Sequence, residues 1–286
     1  MLIMTAQAKE VYQSPCKINL GLEVLSKRED GFHNINTVFY RLDSPSDILR
    51  VSRSDSFQLS VNDSAIATDS SNLITRAIQR CSQLKNIPLP GLEITLEKNV
   101  PFGAGLGGGS ADAAIAIEIF SDWVSPLTSK EKFEIARSIG ADVPFFLMHS
   151  YAAVASGIGD VLTPIDFRLD FSIVVVKPKD IVIPTVEAYN RLALQPTRIP
   201  TDLASAIRLP IEEWRGTIFN DFESVAFEMQ PTLQKIKEDI YTSRASFALM
   251  SGSGSAFFGI YSSQEKARKA FEQFRQNNSL HSFFNE

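Results

Sequence analysis

The chain has 286 residues, enough for one large domain or two modest ones. Hydrophobic residues make up 44% and charged residues 21%, which excludes a wholly disordered chain. With 28 Lys and Arg against 33 Asp and Glu the net charge is −5, so the basic excess of a nucleic-acid-gripping domain is missing.

Residues 1–10 carry neither a basic cluster nor an apolar run of signal-peptide length, and no stretch approaches the roughly 18 apolar residues of a membrane span. A cytoplasmic protein is the expectation. Residues 14–25 alternate, with Cys16, Ile18, Leu20, Leu22 and Val24 on one side and Lys17, Asn19, Gly21 and Glu23 on the other. That predicts a half-buried strand, and by spacing alone Lys17 and Asn19 read as a side-by-side polar pair on an exposed sheet face. Residues 48–51 and 57–61 predict a hairpin bridged by the polar stretch 52–56. Asn72 opens a helix whose apolar face carries Leu73, Ile74, Ala77, Ile78, Cys81 and Leu84. Cys16 and Cys81 have no metal or redox spacing and read as core residues.

A further alternating strand covers 92–98, followed by a glycine-rich stretch and an Ala- and Ile-rich helix over about 110–120. The next helix opens at Thr128, where Thr128 and Glu131 have capping-box spacing, and closes at Gly140, placed for a left-handed turn. Residues 171–176 form an apolar run typical of a buried strand. Helices are predicted near 185–193, 221–228, 231–242 and 263–276, with strands at 246–250 and 256–261. Pro-containing segments near 178–184 and 195–200 read as surface connections. A boundary between two parts is expected within 155–170.

The stretch that carries chemistry is Pro101-Phe102-Gly103-Ala104-Gly105-Leu106-Gly107-Gly108-Gly109-Ser110, with Asp112 just beyond. Glycine costs about 1 kcal/mol of backbone entropy against alanine in a regular element. Five glycines in seven residues, between a strand and a helix, make sense where backbone must approach something closely. The following helix offers unpaired N–H groups and the positive end of its dipole, so an anion is the natural guest. The alternative is a flexible surface turn. No Lys or Arg occurs between Lys98 and Lys130, so backbone does the cradling in this loop. The Walker pattern fails because no Gly-Lys-Ser/Thr follows the glycines. A dinucleotide fold needs a second strand ending in an acid about 20 residues on, where this chain has a loop. No His-Arg-Asp or Asp-Phe-Gly stretch of a protein kinase occurs.

Pro-x-Gly-x-Gly-Leu-Gly-Gly-Gly-Ser resembles the signature of the galactokinase, homoserine, mevalonate and phosphomevalonate kinases, the GHMP kinases. The likeness runs along nearly the whole chain. Ser14-Pro15-Cys16-Lys17-Ile18-Asn19-Leu20 is similar to the family's substrate strand, Gly140-Ala141-Asp142-Val143-Pro144-Phe145 to its catalytic segment, and residues 249–255 to its C-terminal glycine-rich loop. Arg28-Glu29-Asp30-Gly31-Phe32-His33, Asn220-Asp221-Phe222-Glu223 and Ile183-Pro184-Thr185 resemble the branch of the family whose substrate carries a cytidine diphosphate group, in non-mevalonate isoprenoid synthesis. Homoserine-type or mevalonate-type members are the alternative.

The resemblance implies an α+β fold in two lobes: an N-terminal lobe (1–160) of mixed strands and helices around the phosphate loop, and a smaller substrate-binding lobe (161–286) with an antiparallel sheet backed by helices. It implies phosphoryl transfer from ATP, carried as its magnesium complex, with no metal site of the protein's own. In that reading Asp142 takes the proton of the attacking hydroxyl, and Lys17 lies beside it to keep it ionised. By spacing alone, Asp142 would cap a helix starting near Pro144, although Val143 is the better-placed cap. Residues 101–110 hold the phosphates, Ser110 also capping its helix. Asn19, Phe32, His33, Thr185 and Tyr189 bind substrate, with the cytosine stacked on Phe32 and Tyr189 offering a ring to its other face. Asp112 supports the helix start, since it would repel a triphosphate unless magnesium lay between. Gly252 and Gly254 let the C-terminal loop come close to the substrate.

Overall fold

The computed structural model describes residues 10–194 and 199–286. Residues 1–9 of the stretch read for targeting signals, and residues 195–198 of the connection expected at 195–200, lie outside these. Two compact units divide the described chain, each assembled from separate segments: 10–15, 46–100 and 108–149 in the first, and 16–45, 101–107 and 150–286 in the second. Strands β1 (Glu10–Lys27) and β2 (His33–Arg53) pair with each other, and each contributes residues to both units.

In the first unit β4 (Leu92–Glu97) lies between two strands. β2 runs antiparallel to it, with Ile48 opposite Glu97 and Arg53 opposite Leu92. β3 (Gln58–Val61) runs parallel to it, with Leu59 opposite Ile94. The hairpin expected of 48–51 and 57–61 therefore does not form. Ser54 N–H donates to the Gly91 carbonyl at 3.0 Å, turning the chain across the end of β4 instead of back along β2. Any side chain at Gly91 would meet the Ser54 oxygen at 2.0 Å. Helices α1 (Leu73–Lys85), α2 (Gly108–Trp123), α3 (Ser129–Ile139) and α4 (Val143–Phe146) pack together around α2. Ala111, Ala113, Ala114, Ala116, Ile117, Ile119 and Phe120 bury α2 on nearly all sides, as expected of a central helix. Asn72 caps α1 by accepting from Ile74 N–H, and the Thr128–Glu131 capping box is formed. Gly140 departs from expectation: at φ −175° it is extended, because the chain leaves α3 straight towards α4 rather than turning left-handed.

In the second unit the first part of β2 pairs with β5 (Ala152–Ser156), which turns back into β6 (Val161–Ile165). A separate antiparallel sheet has the order β10 (Leu280–Asn285), β7 (Ser172–Pro178), β9 (Phe257–Tyr261), β8 (Phe247–Met250). Around it lie α5 (Thr185–Arg191), α6 (Leu203–Ala206), a 3-10 turn at Ile211–Gly216, α7 (Phe222–Met229), α8 (Thr232–Thr242) and α9 (Gln264–Arg275). Val174, Val176, Met250 and Phe257 of the sheet share a core with Phe222, Leu233, Ile236, Ala267 and Ala270. The α+β class holds, and Cys16 and Cys81 are buried free thiols. Among the described residues no helix is long and apolar enough to cross a membrane.

Candidate active site

Strand β1 is buried on both faces from Ser14 to Val24, so the half-buried strand and the exposed Lys17–Asn19 pair are both corrected. The alternation is real; its polar side faces a hydrogen-bond network rather than water. Lys17 N–H donates to the Leu106 carbonyl at 2.9 Å. The Lys17 ammonium donates to Asn19 Oδ1 at 2.7 Å and to the Gly105 carbonyl at 3.2 Å, and stands 5.0 Å from the centre of the Phe39 ring. Asn19 Nδ2 donates to Thr37 Oγ1 at 2.9 Å. Ser251 Oγ donates to the Gly105 carbonyl at 2.9 Å, and Ala256 N–H to the Ala104 carbonyl at 3.1 Å. Within the second unit strand β1, the glycine loop and the C-terminal loop are thus knitted into one polar cluster.

The loop's glycines are fixed by this packing as well as by any guest. Gly103, Gly105 and Gly107 have φ of +63°, +75° and +69°, in the left-handed region that favours glycine. A Cβ on Gly105 would lie 2.1 Å from the Ser251 carbonyl oxygen. Phe102 is 75% exposed at the loop's edge. Behind the C-terminal loop, Asn220 Nδ2 donates to the Met250 and Gly252 carbonyls, each at 2.8 Å, while its Oδ1 accepts from Phe222 N–H. Asn220→Ala strands all three buried groups and should cost about 2–4 kcal/mol. A thermal melt checks this: the midpoint should fall by roughly 5–10 °C, and a fall under about 2 °C would contradict it.

The first unit holds Ser110 and Asp142. Helix α2 begins at Gly108, so Ser110 stands inside its first turn and is not the expected cap. The helix starts earlier because glycine there lets it abut the end of β4, a Cβ on Gly108 coming 2.8 Å from Val100 Cγ1. Asp142, not Val143, occupies the cap position of α4, yet its backbone is helical (φ −79°, ψ −18°) and its side chain makes no capping hydrogen bond. Its carboxylate is not spent on the helix end.

In the second unit His33 stacks on Tyr189, ring centres 4.7 Å apart and planes 22° from parallel, and Tyr189 meets Phe222 edge-on. Nothing flat fits between His33 and Tyr189 at that spacing. Phe32 beside them is 58% exposed. Burial, aided by the charge of Lys27, lowers the His33 pKa below its ordinary 6.5, so the imidazole is neutral at pH 7. Thr185 and Ser253 hydroxyls hydrogen-bond at 2.9 Å, tying α5 to the C-terminal loop.

Sequence reading missed Thr37, Lys177 and the pair Asp47–Lys98. Lys177 donates to the Pro178 and Ile181 carbonyls at 2.6 and 2.8 Å, pinning the turn before α5. Its one signal was a lysine closing an otherwise apolar run, Ile173-Val174-Val175-Val176.

This fold, with a glycine loop leading into a central helix and a second glycine loop packed on the first, is that of a small-molecule kinase. The model of the GHMP kinases N terminal domain matches residues 72–150 and that of the GHMP kinases C terminal matches 204–280. The chain belongs to the GHMP kinase family. It is 41% identical over 248 residues to a 4-diphosphocytidyl-2-C-methyl-D-erythritol kinase of Parabacteroides distasonis, covering 86% of this chain and 89% of that one. A protein of the same name from Chlorobium limicola is 40% identical over 269 residues, 92% of each chain. A crystal structure of 4-(cytidine 5'-diphospho)-2C-methyl-D-erythritol kinase, 32% identical, superposes over 97% of this chain and 100% of its own with a TM-score of 0.80.

Proposed function

We propose that the chain transfers the γ-phosphoryl group of MgATP to the 2-hydroxyl of 4-diphosphocytidyl-2-C-methyl-D-erythritol, in the non-mevalonate route to isoprenoid precursors. What carries the reading is 40–41% identity to two relatives of that name along 86–92% of the chain. In this reading Asp142 accepts the hydroxyl proton as the oxygen attacks the γ-phosphorus. The bond to the β–γ bridging oxygen breaks, and ADP leaves. Positioning and electrostatics dominate such transfers. The lysine of the buried polar cluster, Lys17, stabilises the negative charge on the moving group. The amides of residues 103–110 and the first turn of α2 hold the phosphates, with the helix dipole favouring the anion.

The aromatic group supports the cytidine assignment. A pyrimidine is flat, with donors and acceptors on one edge. Phe32 offers an exposed ring to stack on, and neutral His33 offers both a donor and an acceptor. Since His33 and Tyr189 already touch, the base would lie against Phe32 and the outer side of that pair, with Thr185 and Asn19 reaching its ribose, phosphates or polyol. The test is ADP release with this substrate beside homoserine and mevalonate controls. Turnover confined to the cytidine substrate is expected, and turnover with either control instead discards the pocket. Phe32→Ala should raise its KM by about 10–100-fold, since stacking a base is worth about 1–3 kcal/mol, while Phe32→Tyr keeps the stack.

A further inference from the structure

A buried ionic cluster in the first unit joins the residues that lead into the glycine loop to the helix that follows it. Lys98, just after β4, binds Asp47 of β2 and Asp112 of α2, the latter at 2.9 Å. Asp47 Oδ1 also accepts from Asn99 and Val100 N–H, at 2.6 and 2.8 Å. The residues entering the loop and the first turns of the helix leaving it are therefore fastened to the same ammonium group. A Cβ on Gly108 would come within 3.1 Å of Lys98 Nζ, so glycine at the helix start is what lets the two stems meet. One lysine faces two carboxylates, all nearly excluded from water. Among the described residues, Asp112 Oδ1 is buried with no hydrogen bond of good geometry, so the cluster is incompletely satisfied.

We infer that Lys98, Asp47 and Asp112 position the glycine loop by clamping its stems, and that nucleotide binding at the loop draws a proton onto the cluster at Asp112. The inference rests on the loop being the ATP phosphate site. At about 1.5 Å of rise per residue, Asp112 is roughly 6 Å along the helix from Gly108. A triphosphate at the helix start would lie within roughly 10 Å of this carboxyl, through poorly screened interior. Like charge so placed opposes ionisation.

Proton affinity there is already poised. Burial pushes the Asp112 carboxyl up to about 7, the charge of Lys98 pulling it down and that of Asp47 raising it again. The Ser14 hydroxyl from β1 also lowers it. Lys98 stays ionised: burial opposes its charge, but the two carboxylates more than offset this and raise its pKa.

The sign follows from linkage. If the nucleotide raises the Asp112 pKa by about one unit, the protonated fraction at pH 7 rises from about a half to about nine-tenths, an uptake of roughly 0.4 proton per nucleotide. MgATP then binds the protonated form about tenfold more tightly, and its Kd rises as pH passes from 6 to 9. Isothermal calorimetry of MgATP binding to the full chain at pH 7, without acceptor substrate, in two buffers of different ionisation enthalpy counts the protons. Uptake near 0.4 in the parent protein, absent in Asp112→Asn, whose Kd is flat across that pH range, is the expected result. Burial and the charge of Lys27 lower the His33 pKa below its ordinary 6.5, away from the pH of the calorimetry. Should the variant fail to fold, the parent's buffer dependence and pH slope decide alone. MgATP binding with no uptake, or uptake that survives in Asp112→Asn, overturns the inference and leaves the ATP site standing. No MgATP binding at all overturns both.

Discussion

Asp142→Asn is expected to lower kcat by about 10²–10⁴-fold while leaving MgATP affinity within about twofold, the loss typical of a missing general base. The substitution keeps size and hydrogen-bonding shape and removes the negative charge together with the capacity to take up a proton. Its structural cost should be small, because Asn at this cap position keeps the side chain's size and a hydrogen-bonding oxygen. Val143, Pro144, Phe145 and Phe146 anchor that turn by their own burial. Steady-state kinetics with the cytidine substrate, a nucleotide-binding isotherm and a thermal melt on the same preparation separate the possibilities. A kcat loss below about tenfold removes Asp142 from the base role. A large fall in melting temperature alongside lost activity would make it a structural residue instead.

The second large effect concerns the glycine loop. Gly105→Ala should destabilise by at least about 3–5 kcal/mol and lower the melting temperature by roughly 10 °C or more. Two costs add. The left-handed φ of +75° penalises any Cβ, and the new methyl would have to occupy space 2.1 Å from a backbone oxygen that cannot swing aside. Gly31 is the control for the first cost: φ is +85°, but nothing lies within 4 Å, so Gly31→Ala should lose only about 1–2 kcal/mol. Gly109 is the more telling control. It lies inside α2, and an added Cβ would make only an ordinary 3.7 Å contact with Leu73. Gly109→Ala should therefore melt no lower than the parent, up to about 1 kcal/mol being regained from helix propensity. If that variant is stable yet binds MgATP poorly, the glycine is there for the guest. If Gly105→Ala melts like the parent, the packing of the two glycine loops described above is wrong.

What the sequence revealed and what it hid have physical reasons. Helices with caps and apolar stripes were legible, since α1 and α3 carry their own start signals at Asn72 and Thr128. The glycine loop was legible because five glycines in seven residues break every local preference at once. Strand partners were not. Residues 48–51 and 57–61 are near in sequence and alternate alike, but β4 comes between them, and nothing local announces a parallel partner more than thirty residues on. β10 was missed because its His281 and Ser282 dilute the apolar pattern at a sheet edge. In β1 a period-two polar pattern reads as a solvent face, whereas buried polar partners such as Thr37 and Ser251 produce the same pattern. Asp47 and Lys98 carry no local signal, because a three-way ionic contact among β2, the residue just after β4 and α2 exists only once the fold does.

The threading of β1 and β2 through both units bears on how the chain comes to be folded during synthesis. Every segment of the first unit has left the ribosome once His149 has emerged, while the second still awaits everything from Ser150 onward. Until then residues 16–45 trail from a finished neighbour with Leu22, Val24 and Ile35 lacking the core they join in the complete protein. A nascent chain paused midway thus offers two long strands, each with an apolar side, to any passing strand edge, the condition under which aggregation competes with folding. Holdase chaperones should find their binding site there, and a translation pause just beyond codon 149 would lengthen the exposure rather than help the first unit close.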